Sequence, residues 1–220
     1  MSDRVRVLIV DDDALVRSGL RLMLSGSDRV DVVAEAEDGS EVLSAVDAHR
    51  PDVVLMDLRM PKVDGLTATE LLRAQPRAPR VLVLTTFDAD ELVLRALRAG
   101  ADGFLLKDTP PPEIVKAIEL VAAGDGILSP AIARQLIEHV AAEGTGAGAR
   151  RADARQRLDT LSERELEVAR AIGQGKTNAD IATELYMSVA TVKAHVTRVL
   201  SKLEAENRVQ IALLVQDALG

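Results

Sequence analysis

The sequence predicts a doubly wound α/β domain on a five-stranded parallel sheet, order 2-1-3-4-5, followed by a small all-α domain. Three observations predict it. Apolar runs of four or more residues alternate with amphipathic stretches through the first half of the chain, as strands do when crossover helices bury both faces. Past residue 158 only helical periodicity is left. The chain has 220 residues, 47% of them apolar, enough for one large or two small domains with true cores. Aromatics make up 1%, so those cores are aliphatic.

The first strand is Val5–Val10, ending in Asp11-Asp12-Asp13, and residues 14–24 follow as a helix with apolar Leu15, Leu20, Met23 and Leu24. Val30–Ala36 is the second strand and residues 39–48 the second helix. Val53-Val54-Leu55-Met56 is the third strand. It stops at Asp57, with a Met60-Pro61 pair and an Asp64-Gly65 turn signal behind it and a helix over 66–74. The fourth strand, 81–84, ends in Thr85-Thr86; Asp88 and Glu91 mark a helix start and Gly100 its stop. Gly103–Leu106 is the fifth strand, ending at Lys107, before a helix over 114–123.

In a doubly wound sheet, ligands bind beyond the carboxyl ends of the strands, at the switch point between the first and third. Strand one ends in Asp11 and Asp12, strand three in Asp57, strand four in Thr85 and strand five in Lys107; strand two ends in no such group. One carboxylate there would be a loop cap, but polar groups converging from four strands make a site. Carboxylates packed together repel, so a hard cation is their natural guest, and oxygen-only ligands favour Mg²⁺.

The chain has no cysteine, which excludes disulfides and thiolate metal sites. No apolar run approaches the roughly 20 residues that span a bilayer, and the N-terminus runs straight into a strand without room for a signal peptide; a cytoplasmic protein is expected. His49, His139 and His195 have no ligand-spaced neighbours for a metal. No Gly-rich phosphate loop is present.

Residues 126–157 read as a connection. A short amphipathic helix from Ser129-Pro130 carries Ile132, Leu136, Ile137 and Val140, and residues 143–157, small and polar, read as a flexible linker. Residues 158–220 open with a capping box, Ser162 to Glu165, on a helix that stops at Gly173. Thr177 and Asp180 form a second box for a short helix with Ile181, Ala182 and Leu185. After a tight turn, Tyr186-Met187-Ser188, residues 189–203 form a helix with the apolar stripe Val192, Val196, Val199 and Leu203. Arg208–Leu219 is the last helix. Two short helices around a tight turn suggest helix-turn-helix, whose second helix enters the major groove of DNA. The net charge of -8 argues against binding by the whole surface, and residues 158–220 hold seven Lys and Arg against nine Asp and Glu; residues 189–203 nevertheless carry three basic residues and no acidic one.

Asp11-Asp12, Asp57, Thr85 and Lys107, in this order over residues 4–123, resemble the flavodoxin-like receiver domain of two-component response regulators. The segments Leu161-Ser-Glu-Arg-Glu-Leu-Glu-Val, Thr177-Asn-Ala-Asp-Ile-Ala, Thr191-Val-Lys-Ala-His-Val and Val199-Leu-Ser-Lys-Leu resemble the LuxR-type helix-turn-helix. Together they resemble the NarL/FixJ class. That resemblance implies a receiver over 1–125, a connection over 126–157 and a DNA-binding domain over 158–220. It implies phosphorylation of Asp57 by a sensor histidine kinase, with Mg²⁺ held by Asp12, Asp57 and the Arg59 backbone carbonyl, and by Asp11 through water. Lys107 would contact the phosphoryl oxygens, and Thr85 and Phe104 would move inward together as the switch. Lys193, Ala194 and Thr197 would face base edges, and Thr191, Arg198 and Lys202 phosphates. Partners would be promoter DNA, RNA polymerase and a second copy of the chain on activation, with no enzymatic turnover beyond self-phosphorylation.

The sequence departs from the family's commonest pattern at four places. Asp108 rather than proline follows Lys107, Arg59 and Phe87 form a bulky pair two residues past Asp57 and Thr85, Val189 stands where glutamate is frequent, and Glu204-Ala205-Glu206 replaces a glycine-containing turn. A haloacid-dehalogenase-type phosphatase is excluded because Asp57-Leu58-Arg59 lacks the second carboxylate of Asp-x-Asp. A DNA-binding protein with a phosphorylation-independent receiver is the alternative.

Overall fold

The computed structural model describes residues 4–86, 90–128 and 147–219. The chain divides into two compact units, residues 1–133 and 134–220.

In the first unit the strands β1 (Val5–Val10), β2 (Val30–Ala36), β3 (Val53–Met56), β4 (Arg80–Thr85) and β5 (Gly103–Leu106) form an all-parallel sheet in the expected order. A sixth strand, β6 (Ile127–Leu128), extends it beside β5, within the segment expected to be connection. Helices α1 (Ala14–Ser25), α2 (Val42–His49), α3 (Gly65–Arg73), α4 (Asp90–Arg98) and α5 (Pro111–Ala122) make the crossovers. On one sheet face Val7, Ile9, Leu55 and Leu82 pack with Leu20 and Leu24 of α1 and Ile114 and Ile118 of α5. The alternate residues Leu8, Val10, Val54, Met56 and Val83 are equally buried. Burial on both faces is why these strands read as unbroken apolar runs.

Helix α1 buries two of its four expected apolar residues, Leu20 and Leu24, and turns the other two outward. Leu15 is 83% exposed and Met23 41%, whereas Arg17 is only 7% exposed. The core stripe is Leu20 and Leu24, and the Arg17 guanidinium takes an inward position because acceptors there satisfy it. Asp13 caps α1 by accepting from Leu15 N–H at 2.8 Å, and Asp64 caps α3 by accepting from Thr67 N–H at 2.7 Å. Asp88 and Phe87, and the expected helix from Ser129 with His139, lie outside the described residues.

The second unit contains α6 (Ala147–Leu158), α7 (Glu163–Gly173), α8 (Asn178–Glu184), α9 (Val189–Lys202) and α10 (Arg208–Leu219). Helix α6 corrects the reading of residues 147–157 as flexible linker; residues 143–146 lie outside the described residues. Ala154 and Leu158 are buried in the core with Val168, Ile181, Val199 and Ile211. The Arg155 guanidinium donates to the Ala218 carbonyl at 3.1 Å, and Arg157 donates to the Leu203 carbonyl. Two arginines thus satisfy carbonyls at the C-terminal ends of α10 and α9 that lack partners within their own helices. Both expected capping boxes form, with Glu165 accepting from Ser162 N–H at 2.9 Å and Asp180 from Thr177 N–H at 3.0 Å. Glu204 ends α9 in the left-handed region, φ 48, and the Ala205 N–H donates to the Leu200 carbonyl at 2.9 Å, the position usually filled by glycine.

Candidate functional site

Asp11 and Asp57 come together because β1 and β3 are neighbours in register, Val10 beside Met56. The Asp57 N–H donates to the Val10 carbonyl at 2.9 Å. Ligand oxygens of Asp11, Asp12 and Asp57 lie within 4.8 Å of one another, the first and third buried and Asp12 exposed. Lys107 reaches over from the end of β5, its Nζ 2.6 Å from Asp11 Oδ2 and 3.1 Å from Asp57 Oδ2. Asp57 Oδ1 accepts from Leu58 N–H at 2.8 Å, which fixes the carboxylate's rotation. Thr85 is buried at the tip of β4, and its carbonyl accepts from Lys107 N–H at 2.9 Å. Phe104 is fully buried, beside Val83 in the sheet. Arg59 lines an open groove of about 550 Å³ with Asp12, Met60, Leu92 and Arg95.

The charges are mutually set. Burial pushes the Asp11 carboxyl above its ordinary 3.8, against the downward pull of Lys107. Burial pulls the Lys107 ammonium down, but its hydrogen bond to Asp11 and the charge of Asp57 outweigh that and hold it above its ordinary 10.5. The cluster therefore carries more carboxylate than one lysine neutralises, and the deficit suits a divalent cation with oxygen ligands.

Three residues of this site are not apparent from strand tips. Arg17 donates to the Asp11 carbonyl at 2.7 Å and to Glu37 Oε1 at 2.7 Å, tying down the acidic loop. Asp38 accepts from Ser40 N–H at 2.9 Å and, across the sheet end, from Lys62 N–H at 2.9 Å, and so anchors the loop after Asp57. These N–H groups, Ser40 foremost, hold the Asp38 carboxyl down to about 2. At Gly65 a Cβ would run into the Asp57 carbonyl oxygen, so the turn back into α3 requires glycine. The Asp64-Gly65 turn signal is the visible trace of this, and Asp38, before Gly39 and three residues ahead of Glu41, carries the pattern of a turn and helix start; Arg17 gives none.

In the second unit, Thr191, Lys193, Ala194, Thr197 and Arg198 all lie on the exposed side of α9, opposite buried Val192, Val196 and Val199. Thr191 shares a 2.8 Å hydrogen bond with the Ser188 hydroxyl at the helix start. Lys202 is engaged within the unit, donating to Glu165 Oε2 at 2.7 Å. That bond, with the Ser162 N–H, holds the Glu165 carboxyl down to about 2. His195 is half-buried on the same helix.

The family described as response regulator receiver domain matches residues 7–119, and that of bacterial regulatory proteins of the luxR family matches residues 159–215. The chain belongs to the two-component response regulators. The probable transcriptional regulatory protein NarL of Mycobacterium tuberculosis is 40% identical over 94% of this chain and 91% of its own length. The nitrate/nitrite response regulator protein homolog of Haemophilus influenzae is 36% identical over 97% of both chains. Among solved structures, the response regulator ChrA of a heme-sensing two-component system superimposes with a TM-score of 0.54 at 36% identity, over 97% of this chain and 96% of that one. This response regulator thus joins a receiver to a LuxR-type DNA-binding domain, with the acidic cluster at the receiver's switch point. No described helix is long and apolar enough to cross a membrane.

Proposed function

We propose that this response regulator is switched by phosphorylation of Asp57 and regulates transcription by binding promoter DNA through α9. The observation that carries the reading is the convergence of Asp11, Asp12, Asp57 and Lys107 on one edge of the sheet. An Asp57 carboxylate oxygen attacks the phosphorus of a phosphohistidine in a sensor kinase; the P–N bond breaks and the imidazole leaves with the electron pair. Lys107 transfers its pairing from the carboxylates to the phosphoryl oxygens, and Thr85 and Phe104 turn the new charge into repacking around β4 and β5. Asp11, Asp12, Asp57 and the Arg59 carbonyl would hold Mg²⁺, which supplies charge neutralisation to the incoming phosphoryl group. The bulky Arg59 and Phe87 pair would slow phosphate loss, and Arg59→Ala should speed it.

Lys193, Ala194 and Thr197 serve base edges, and Thr191 and Arg198 phosphates. Lys202 is held towards Glu165, which limits its reach to phosphate, and Arg198 is the stronger candidate. The DNA-binding domain begins at α6 rather than at 158. The phosphorylated protein acts in the cytoplasm as a homodimer whose two reading helices grip a repeated site, with RNA polymerase as downstream partner. It has no turnover beyond its own phosphorylation and dephosphorylation.

The test is incubation of the full chain with Mg²⁺ and acetyl phosphate, read by intact mass and light scattering. One added phosphoryl group and a monomer-to-dimer change are expected in the wild type and in neither measurement for Asp57→Ala. A wild type that binds DNA but takes up no phosphoryl group would establish a phosphorylation-independent receiver instead.

A further inference from the structure

Tyr186 is the chain's only tyrosine, one of three aromatic residues in all. Phe104 is fully buried; Tyr186 is 95% exposed. It sits in the turn between α8 and α9 with φ 53, a left-handed backbone that a bulky side chain disfavours and asparagine or glycine accepts. The turn is held firmly. Arg164 donates to the Leu185 carbonyl at 2.8 Å, the Met187 N–H donates to the Ala182 carbonyl at 2.9 Å, and Ser188 accepts from Thr191 N–H at 3.0 Å. An aromatic ring is thus held in water, on a rigid turn, against both its hydrophobic and its conformational preference. The same left-handed geometry ends α9 at Glu204, so it is the exposure of the ring, and not the backbone, that the helix end leaves unaccounted for.

The surroundings indicate the use. Exposed surface runs on from Tyr186 through Ser188, Val189, Ala190 and Thr191 to Lys193, and no acidic residue occurs from Tyr186 to Leu203. We propose that Tyr186 is a DNA-contacting residue, its ring lying on a deoxyribose and its phenolic O–H donating to a phosphate oxygen at the edge of the groove that α9 enters. A rigid, amphipathic, uncharged side chain suits that place, because it fixes the register of the helix without adding to the salt-dependent attraction. The inference rests on α9 being the reading helix.

The test uses the full chain with Mg²⁺ and beryllofluoride and a short mixed-sequence duplex. With a single tyrosine, 3-fluorotyrosine labelling gives a single ¹⁹F resonance, which should shift on addition of duplex. By fluorescence anisotropy Tyr186→Phe should weaken binding about tenfold with the salt slope unchanged, whereas Arg198→Ala should lower that slope by about 0.9. Tyr186→Asn should raise the thermal stability of the second unit while lowering affinity; a purely structural residue would move both together. Duplex bound with the resonance unmoved and Tyr186→Phe at wild-type affinity would overturn the inference alone. A wild type that binds no duplex would overturn the reading of α9 and the inference with it.

Discussion

Lys107 is the residue through which the acidic cluster balances its charge, and removing it should show how much. Its side chain is 14% exposed and pairs with two buried carboxylates. Lys107→Met leaves Asp11 and Asp57 facing each other and should cost about 2 kcal/mol in Mg²⁺-free buffer, less than a fully buried pair would. Mg²⁺ should restore part of that loss, so the variant's melting temperature should rise more with Mg²⁺ than the wild type's. Equal rises would show that Lys107 does not offset the carboxylates. Asp38 gives the pH dependence. Its folded value of about 2 lies below the ordinary 3.8, so the unfolded chain binds more protons than the folded one between those values. The stabilisation is complete above about pH 4 and is lost as pH falls towards 2. Asp38→Asn should therefore melt below the wild type at pH 7, with the gap closing between pH 4 and 2 in a melting-temperature series. Strand-tip residues were legible because each ends an apolar run. Arg17 was not, because an arginine in a helix reads as solvent-facing until Asp11 and Glu37 arrive from other strands to satisfy it.

At the scale of elements, periodicity located helices well and their faces less well. Leu15 and Met23 matched the helical period of α1 yet face outward, since a period does not say which stripe of a mixed helix finds the sheet. Helix α6 was missed for a related reason: its Ala- and Arg-rich sequence has few large apolar residues, and much of its anchoring comes from carbonyls of Leu203 and Ala218, distant in sequence. A lysine retains the charge but not the planar donors, so Arg157→Lys should lower the second unit's stability by roughly 1 kcal/mol, seen as earlier amide exchange at the end of α9. Glu204 offers the opposite case. Its positive φ is unfavourable for any residue with a Cβ, and Glu204→Gly should stabilise that unit by about 1 kcal/mol. A lower melting temperature would show that the Glu204 side chain makes a compensating contact.

For the whole molecule, the parallel sheet followed from alternation, its order 2-1-3-4-5 from the likeness to flavodoxin-like receivers, and helix-turn-helix from two short helices around a tight turn, while two-residue β6 was too short to carry a pattern. Each unit closes its own core, around Leu82 and Leu55 in one and Val199 and Val168 in the other. Leu82→Ala should cost the first unit about 3 kcal/mol, and Val199→Ala the second about 2 kcal/mol. Calorimetry of the full chain should accordingly show the first substitution lowering one transition and the second lowering the other. Ligands supply the same assignment in the opposite direction, because whatever binds only the folded state raises the transition of the unit that holds it. Mg²⁺ with beryllofluoride should raise the transition that Leu82→Ala lowers, and duplex DNA the transition that Val199→Ala lowers. Signalling requires one thing more. If beryllofluoride alters DNA affinity, linkage demands that DNA alter the receiver's affinity for beryllofluoride by the same factor. Titrating beryllofluoride with and without saturating duplex measures that factor. A factor of one would show that the two units are joined in one chain but not coupled.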